Sequence, residues 1–243
     1  MTTRAEFLGS IRREMNKTGG LFMAPSVPRP VDASQTAEAV RRQMLERWPL
    51  ALERFREEFE RVAGIFHRVA TLDEVPGAIR GIAQERQVKS VLSWHPGAVG
   101  LDLRRSLGAE GYTVTVAPEG DPDAGARAHH RDAAARAEIG VTGVDLALAE
   151  TGTLILTSGR GRPRSTSLLP ATHVAIFGRD KLVESLEQVG VMLEALHADP
   201  ARAMSGAVIT FITGPSRTAD IELTLTRGVH GPKEVHAVFV EAP

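Results

Sequence analysis

"VKSVLSW", residues 88–94, decides the fold. Its apolar run is nearly continuous, the pattern of a strand buried on both faces inside a parallel sheet. Outward from it, strands and helices alternate. Upstream stand a short apolar strand from Ile65 and a helix opened near Asp73, with Pro76 in its first turn. Downstream, "AVGLDLRRSLGAEG" predicts a helix, "YTVTVAP" a strand, "ARAHHRDAAARAEI" a helix, and "GVDLALAETGTLILTSG" two strands broken at "ETG". "THVAIFG" predicts a further strand, followed by a helix with apolar positions at Leu182, Leu186, Val189, Leu193 and Leu196. The last unit is "AVITFITG", a helix within "GPSRTADIELTLTRG", and the strand "VHAVFV". This alternation predicts an α/β fold, a mostly parallel sheet with helices on both faces.

The amino-terminal part reads differently. "MTTRAEFLGSIRREMNKTGG" has helical spacing at Phe7, Leu8, Ile11 and Met15. Residues 18–35, rich in proline and glycine, predict an extended linker or a wrapping arm, the latter of the kind that reaches a second subunit in a homo-oligomer. "TAEAVRRQMLERWPLALERFREEFERVAG" predicts helix on both sides of Pro49, with Leu52, Phe55, Phe59 and Val62 on one face. The expected division is a helical extension and arm over residues 1–64 and an α/β domain over residues 65–243.

Composition narrows the function. The 243 residues are 42% hydrophobic and 24% charged, enough for one large core. Lysine and arginine number 29 against 30 acidic residues, a formal net charge of -1, so no global field draws the chain to nucleic acid or an anionic membrane. Cysteine is absent, which excludes disulfides, a thiolate nucleophile and cysteine-ligated zinc or iron–sulfur clusters in this chain. No segment approaches the ~20 apolar residues of a membrane span or the pattern of a signal peptide, and a cytoplasmic location is expected. His129 and His130 are adjacent and point apart on a helix, so no metal site is expected. His95, His173 and His236 read as hydrogen-bonded structural histidines, and Trp48 and Trp94 as packing anchors.

Ligands of open α/β sheets bind beyond the carboxyl ends of the strands, so the loops after "VLSW", "LALAE", "LILTSG" and "ITFITG" are expected to converge. The loop "TSGRGRPRSTS" carries Arg160, Arg162 and Arg164 among glycines and hydroxyls, suited to a phosphate or carboxylate, or else a solvated basic loop. It lacks the Gly-Lys-Ser/Thr ending of a P-loop. Glu150 follows an apolar strand directly: partial burial would raise its pKa and fit it for acid–base or nucleophilic work, while the alternative is a plain turn residue. In "ITGPSRTADIELTLTRGVHGPKEV", Ser216 or Thr218 would cap a helix, Asp220 and Glu222 complement its positive end, and Gly228 stop it. Arg217 and His230 have no such structural duty, which makes them candidates for binding an anion.

"ALAETGTLILTSG", "STSLLPATHVAIFG" and "ITGPSRTADIELTLTRGVHGPKEVHAVFV" together resemble the LUD-domain family, over roughly residues 65–240. The resemblance implies a fold like that of ribose-5-phosphate isomerase, glucosamine-6-phosphate deaminase and coenzyme A transferases. It also implies a part in oxidising L-lactate to pyruvate beside two other proteins, one bearing iron–sulfur clusters. The family's motif falls on Glu150, Thr151, Gly152 and Thr153, on Ser167, Leu168, Leu169, Pro170 and His173, and on Gly214 to Asp220 with Glu222. Removing two electrons from lactate needs a redox group, and the chain has no cysteine and no flavin or nicotinamide fingerprint. The leading expectation is a complex subunit without its own cofactor. It would bind a small carboxylate or other anion between "TSGRGRPRS" and "GPSRTAD", using Thr151, Gly152, Arg160, Arg164, Ser167, Gly214, Ser216, Arg217, Thr218, Asp220 and His230, while iron–sulfur partners carry electrons. Two alternatives stand beside it: a self-sufficient isomerase- or acyl/CoA-transferase-like enzyme using Glu150, and a non-catalytic scaffold.

Overall fold

The computed structural model describes residues 3–17, 32–120, 123–198, 208–219 and 225–242. The chain divides into two units, Met1–Asp32 and Ala33–Pro243. The first carries α1 (Arg4–Lys17), opened by a reciprocal cap in which the Glu6 N–H donates to Thr3 Oγ1 (3.3 Å) and the Thr3 N–H to Glu6 Oε2 (2.7 Å). Most of the expected wrapping arm, residues 18–31, lies outside the described residues.

The second unit runs α2 (Ala33–Arg61), β1 (Ile65–Thr71), α3 (Val75–Glu85), β2 (Ser90–Ser93), α4 (Pro96–Val99), α5 (Leu103–Gly108), β3 (Thr113–Val116), α6 (Ala124–Arg136), β4 (Ile139–Gly143), β5 (Leu146–Leu148), β6 (Thr153–Thr157), α7 (Ser165–Leu168), β7 (Thr172–Gly178), β8 (Leu182–Val183), α8 (Leu186–Ala198), β9 (Ile209–Ile212), β10 (Arg217–Ala219), β11 (Leu225–Arg227) and β12 (Glu234–Ala242). Six strands form one all-parallel sheet in the order β1-β12-β7-β4-β2-β3. Its inner strands β4 and β7 are buried along their whole length, as their apolar runs require. After β3, at one edge, the chain crosses to β4 on the other side of β2, so strand order reverses between β2 and β4. A crevice opens at such a point.

The hairpin "GVDLALAETGTLILTSG" does not join this sheet. It forms β5 and β6 of a second sheet, β8-β5-β6-β9, in which β5/β6 and β6/β9 are antiparallel. Two glycines of β4 let neighbouring backbone close on it from both faces: a Cβ at Gly140 would stand 1.8 Å from the Thr166 carbonyl oxygen, and one at Gly143 would stand 2.3 Å from that of Ala98. This brings α7 and α4 tight against the strand that borders the crevice.

Three expectations need correction. The helix expected across "GPSRTADIELTLTRG" is absent at 217–219 and 225–227, which form the hairpin β10/β11. Ser216 and Thr218 are therefore not helix caps. The reason is legible afterwards: Ile221, Leu223 and Leu225 recur with period two among threonines, a strand pattern. Asp220 and residues 221–224 lie outside the described ones. Leu182 belongs to β8, and the helix after it begins at Leu186, where Ser185 Oγ accepts from the Gln188 N–H (3.3 Å) and Gln188 Oε1 from the Glu184 N–H (2.7 Å). Finally, α2 runs unbroken through Pro49 and belongs to the α/β unit. It buries Met44, Leu52, Phe55 and Phe59, with Phe55 edge-on to Phe177 of β7 (5.2 Å between centroids) and Phe177 edge-on to Phe239 of β12 (5.5 Å). Burial of that apolar face is why the compact unit starts at Ala33 and not at Ile65.

Candidate functional site

The crevice between β2 and β4 is built by the residues just past their ends. Trp94, 2% exposed, donates its indole N–H to the Pro163 carbonyl (3.1 Å), and the His95 N–H donates to the Gly161 carbonyl (2.9 Å). The arginine-rich loop after β6 is thus pinned across the end of β2. Past β4, Asp145 accepts three bonds: from the Thr157 N–H and Thr157 Oγ1 on Oδ2 (2.7 Å each), and from Arg162 Nη1 on Oδ1 (2.9 Å). The Arg162 guanidinium lies 5.7 Å from the centroid of the Trp94 ring. With Asp145 beside it and Trp94 under it, Arg162 is fixed, yet only one of its guanidinium N–H donors is used among the described residues.

Asp145, Trp94 and Arg162 form one wall of a cavity of about 950 Å³. The opposite wall is α2, with Glu38, Arg41, Arg42, Met44 and Leu45; the ends are the turn Arg179–Lys181 and α8. Glu38 pairs with Arg41 (3.4 Å) and Asp180 with Lys181 (2.7 Å), whereas Arg42 and Arg179 have no ion pair among the described residues. Five cationic side chains line the cavity against three acidic ones, so an anion is the favoured guest.

The residues singled out by sequence separate into two places. Strands β6 and β9 are antiparallel, with Thr157 beside Ile209 and Leu154 beside Ile212. The loop after β6 and the loop after β9 therefore lie at opposite ends of the second sheet, roughly 10–15 Å apart along the strands. "TSGRGRPRS" and "GPSRTAD" do not face one corner, and the four loops do not converge. Arg162 lines the large cavity; Arg160 lines a smaller hollow on the other side of the same loop; Arg164 is exposed and lines neither. Ser167 is buried and donates to the Arg164 carbonyl (3.2 Å), a local turn bond.

At the far end, Thr151, Thr153 and Thr213 link hydroxyl to hydroxyl (2.7 Å in each step), and Gly152 and Gly214 press against the end of α2. A Cβ on Gly152 would come within 2.2 Å of the Phe59 nitrogen, one on Gly214 within 2.6 Å of the Val62 carbonyl oxygen. Glu150 is exposed, not partly buried; its Oε2 accepts from the Leu186 N–H (2.9 Å) at the start of α8. Ser216 closes the base of the hairpin: its N–H donates to the Pro232 carbonyl (2.9 Å), its carbonyl accepts from Gly228 (3.0 Å), and its Oγ accepts from the His230 N–H (3.4 Å). Arg217 stands opposite Arg227, with Thr218 opposite Thr226.

The motif histidine His173 is fully buried on β7, its Nε2 2.9 Å from Thr142 Oγ1, and burial pushes its pKa down to about 3. His236 Nδ1 lies 2.9 Å from His67 Nε2; burial, foremost, holds both below the usual imidazole range. Glu234 in turn pairs with Arg86. These are neutral structural imidazoles.

Sequence reasoning passed over Asp145, Arg42 and Arg179, kept Arg162 only as one of a charged loop, and read Trp94 as packing alone. One signal was available: Asp145 stands two residues beyond a fully buried strand, in the position where α/β sheets carry functional groups.

The fold and this crevice define an α/β protein that offers a cationic ligand cavity at the carboxyl ends of its parallel strands. The chain belongs to the LUD-domain family, whose model, described as LUD domain, matches residues 52–240. It is 36% identical over 171 residues to "Lactate utilization protein C" of Halalkalibacterium halodurans, covering 70% of each chain. It is 43% identical over 110 residues to the protein of that name from Exiguobacterium sp., covering 45% of this chain and 47% of the relative. Against the one from Geobacillus sp. it is 39% identical over 122 residues, about half of each chain. A crystal structure of a DUF162 family protein from Deinococcus radiodurans superimposes with a TM-score of 0.54 at 20% identity, over 79% of this chain and 98% of that one, and shares the fold. No helix among the described residues is long and apolar enough to cross a membrane.

Proposed function

We propose that this chain is a subunit of a system oxidising L-lactate to pyruvate, in which it holds a small carboxylate without carrying the redox centre. One observation carries the reading: Arg162, clamped between Asp145 and Trp94 at the strand-order reversal, presents unused donors in a cavity with a cationic surplus. The names of its relatives, lactate utilization protein C, supply the substrate class. The two electrons that leave lactate pass to iron–sulfur partners and the two protons to solvent, because a chain without cysteine ligates no such cluster through thiolates. The cavity far exceeds a lactate ion, which fills only the Arg162–Trp94 end. Glu150 does not line this cavity and holds the start of α8, so the reading assigns it no chemical step.

Calorimetric titration of L-lactate and pyruvate into the purified chain tests the site. Arg162→Gln should weaken binding about tenfold or more, while equal affinity in the two proteins would reject the assignment. Reconstitution of lactate-dependent dye reduction from purified subunits tests the role. A rate that is the same with and without this chain would reject it.

A further inference from the structure

The loop between β6 and α7 separates two hollows. While Arg162 lines the large cavity, Arg160, Gly161 and Ser165 line a second of about 300 Å³, closed by Arg127, His130 and Arg131 of α6 and by Pro118 and Gly120 after β3. Three guanidinium groups from two elements thus meet at one hollow, and one of them, Arg131, has no ion pair among the described residues. Both ring nitrogens of His130 are shielded from solvent and make no hydrogen bond. The Gly161 N–H and the Ser165 hydroxyl likewise make none among the described residues. Buried polar atoms without partners are unfavourable in a folded protein, so the two imidazole nitrogens of His130 at this hollow mark a site whose partner is a ligand.

We infer that this hollow binds the phosphate group of a small phosphomonoester. A phosphate offers three strong acceptor oxygens and nearly two negative charges, which matches several guanidinium groups better than a single carboxylate does. Burial, aided by neighbouring His129, lowers the His130 pKa, so its imidazole is neutral near pH 7 and supplies one donor and one acceptor. That pair suits a phosphate oxygen and a hydroxyl on the ester's carbon chain. A volume of about 300 Å³ leaves room beyond the phosphate for a short carbon chain.

The test titrates glycerol 3-phosphate and inorganic phosphate into the full chain at fixed ionic strength, with sodium sulfate and chloride as controls. Binding is read by calorimetry and by the His130 Cε1–H resonance. Saturable binding that moves this resonance is expected, tighter for glycerol 3-phosphate than for inorganic phosphate. Arg131→Gln and Arg160→Gln, both at exposed positions that leave the core intact, should each weaken it roughly ten- to hundredfold. Arg164→Gln removes the same charge from the same loop outside the hollow and should change it less than twofold. No saturable binding, or equal weakening by Arg164→Gln, would overturn the inference. Tighter binding of inorganic phosphate would assign the hollow to the free ion and overturn the ester.

Discussion

The pair Asp145–Arg162 fixes the candidate site, and its worth can be measured by a four-protein cycle: wild type, Asp145→Ala, Arg162→Met and the double variant. Asp145 is the costlier partner to lose. Its side chain is 8% exposed and collects three donors, so its removal leaves the Thr157 N–H, the Thr157 hydroxyl and a guanidinium without their acceptor. Breaking a buried pair costs about 3–5 kcal/mol, and the lower end applies here because the Arg162 side chain is 27% exposed. Arg162→Met keeps the stem over Trp94 and leaves Asp145 two of its three donors, so about 1–2 kcal/mol is expected. The coupling between the two should be about 1–2 kcal/mol. At about 2–4 °C per kcal/mol for a chain of this size, Asp145→Ala should lower Tm by roughly 6–12 °C. Urea unfolding followed by tryptophan fluorescence reads the cycle, since Trp94 lies under the guanidinium and is one of only two tryptophans. Coupling below about 0.5 kcal/mol, or a greater loss in Arg162→Met than in Asp145→Ala, would refute the clamp.

Gly152→Ala should cost about 3 kcal/mol by urea unfolding, because its φ is +60° and the added Cβ meets the Phe59 backbone at 2.2 Å. The same change at Gly190, exposed on α8 with nothing within 4 Å, should instead stabilise by about 0.5–1 kcal/mol. Glu150→Gln should lose about 0.5–1 kcal/mol at the start of α8 and leave the lactate titration unchanged. A large loss of affinity would restore Glu150 as a site residue. Stability should also fall on mild acidification. The folded pKa of His173 is lowered, so its contribution is present above the unfolded value near 6.5 and is lost as pH falls towards about 3, while the unfolded state takes up the proton. Between pH 7 and pH 5 this amounts to about 2 kcal/mol from His173, and His236 acts in the same direction. Thermal midpoints that stay level across that range would contradict a buried neutral His173.

What the sequence made legible follows from which interactions are local. Strands such as "VKSVLSW" and "THVAIFG" could be read because burial on both faces writes itself into consecutive residues. Glu150 stayed open between two readings for the converse reason: a carboxylate after a strand looks the same whether it is buried or accepts a bond from Leu186, thirty-six positions away. The stretch around Thr218 was misread from within, because capping-type residues outweighed the period-two placing of Ile221, Leu223 and Leu225.

The site itself hung on strand direction, which periodicity does not carry. Read as one parallel array, the chain would bring the loops after β5, β6 and β9 to the same side as the loop after β2. The turn at "ETG" reverses β6, and β9 then runs antiparallel to β6. That sends the Thr151–Thr213 hydroxyl chain and Gly214 to the end of α2, and leaves the arginine-rich loop alone with Trp94 and Asp145. The motif glycines and threonines thereby become packing elements that hold the second sheet against α2. On the proposed reading the ligand falls to Arg162, oriented by Asp145, neither of which the family motif includes. If that division is right, Thr151→Ala and Ser216→Ala should lower stability without altering lactate affinity, and Arg162→Gln should alter affinity most. A ligand titration of the three variants that ranked Ser216→Ala first would place the site at the hairpin after all.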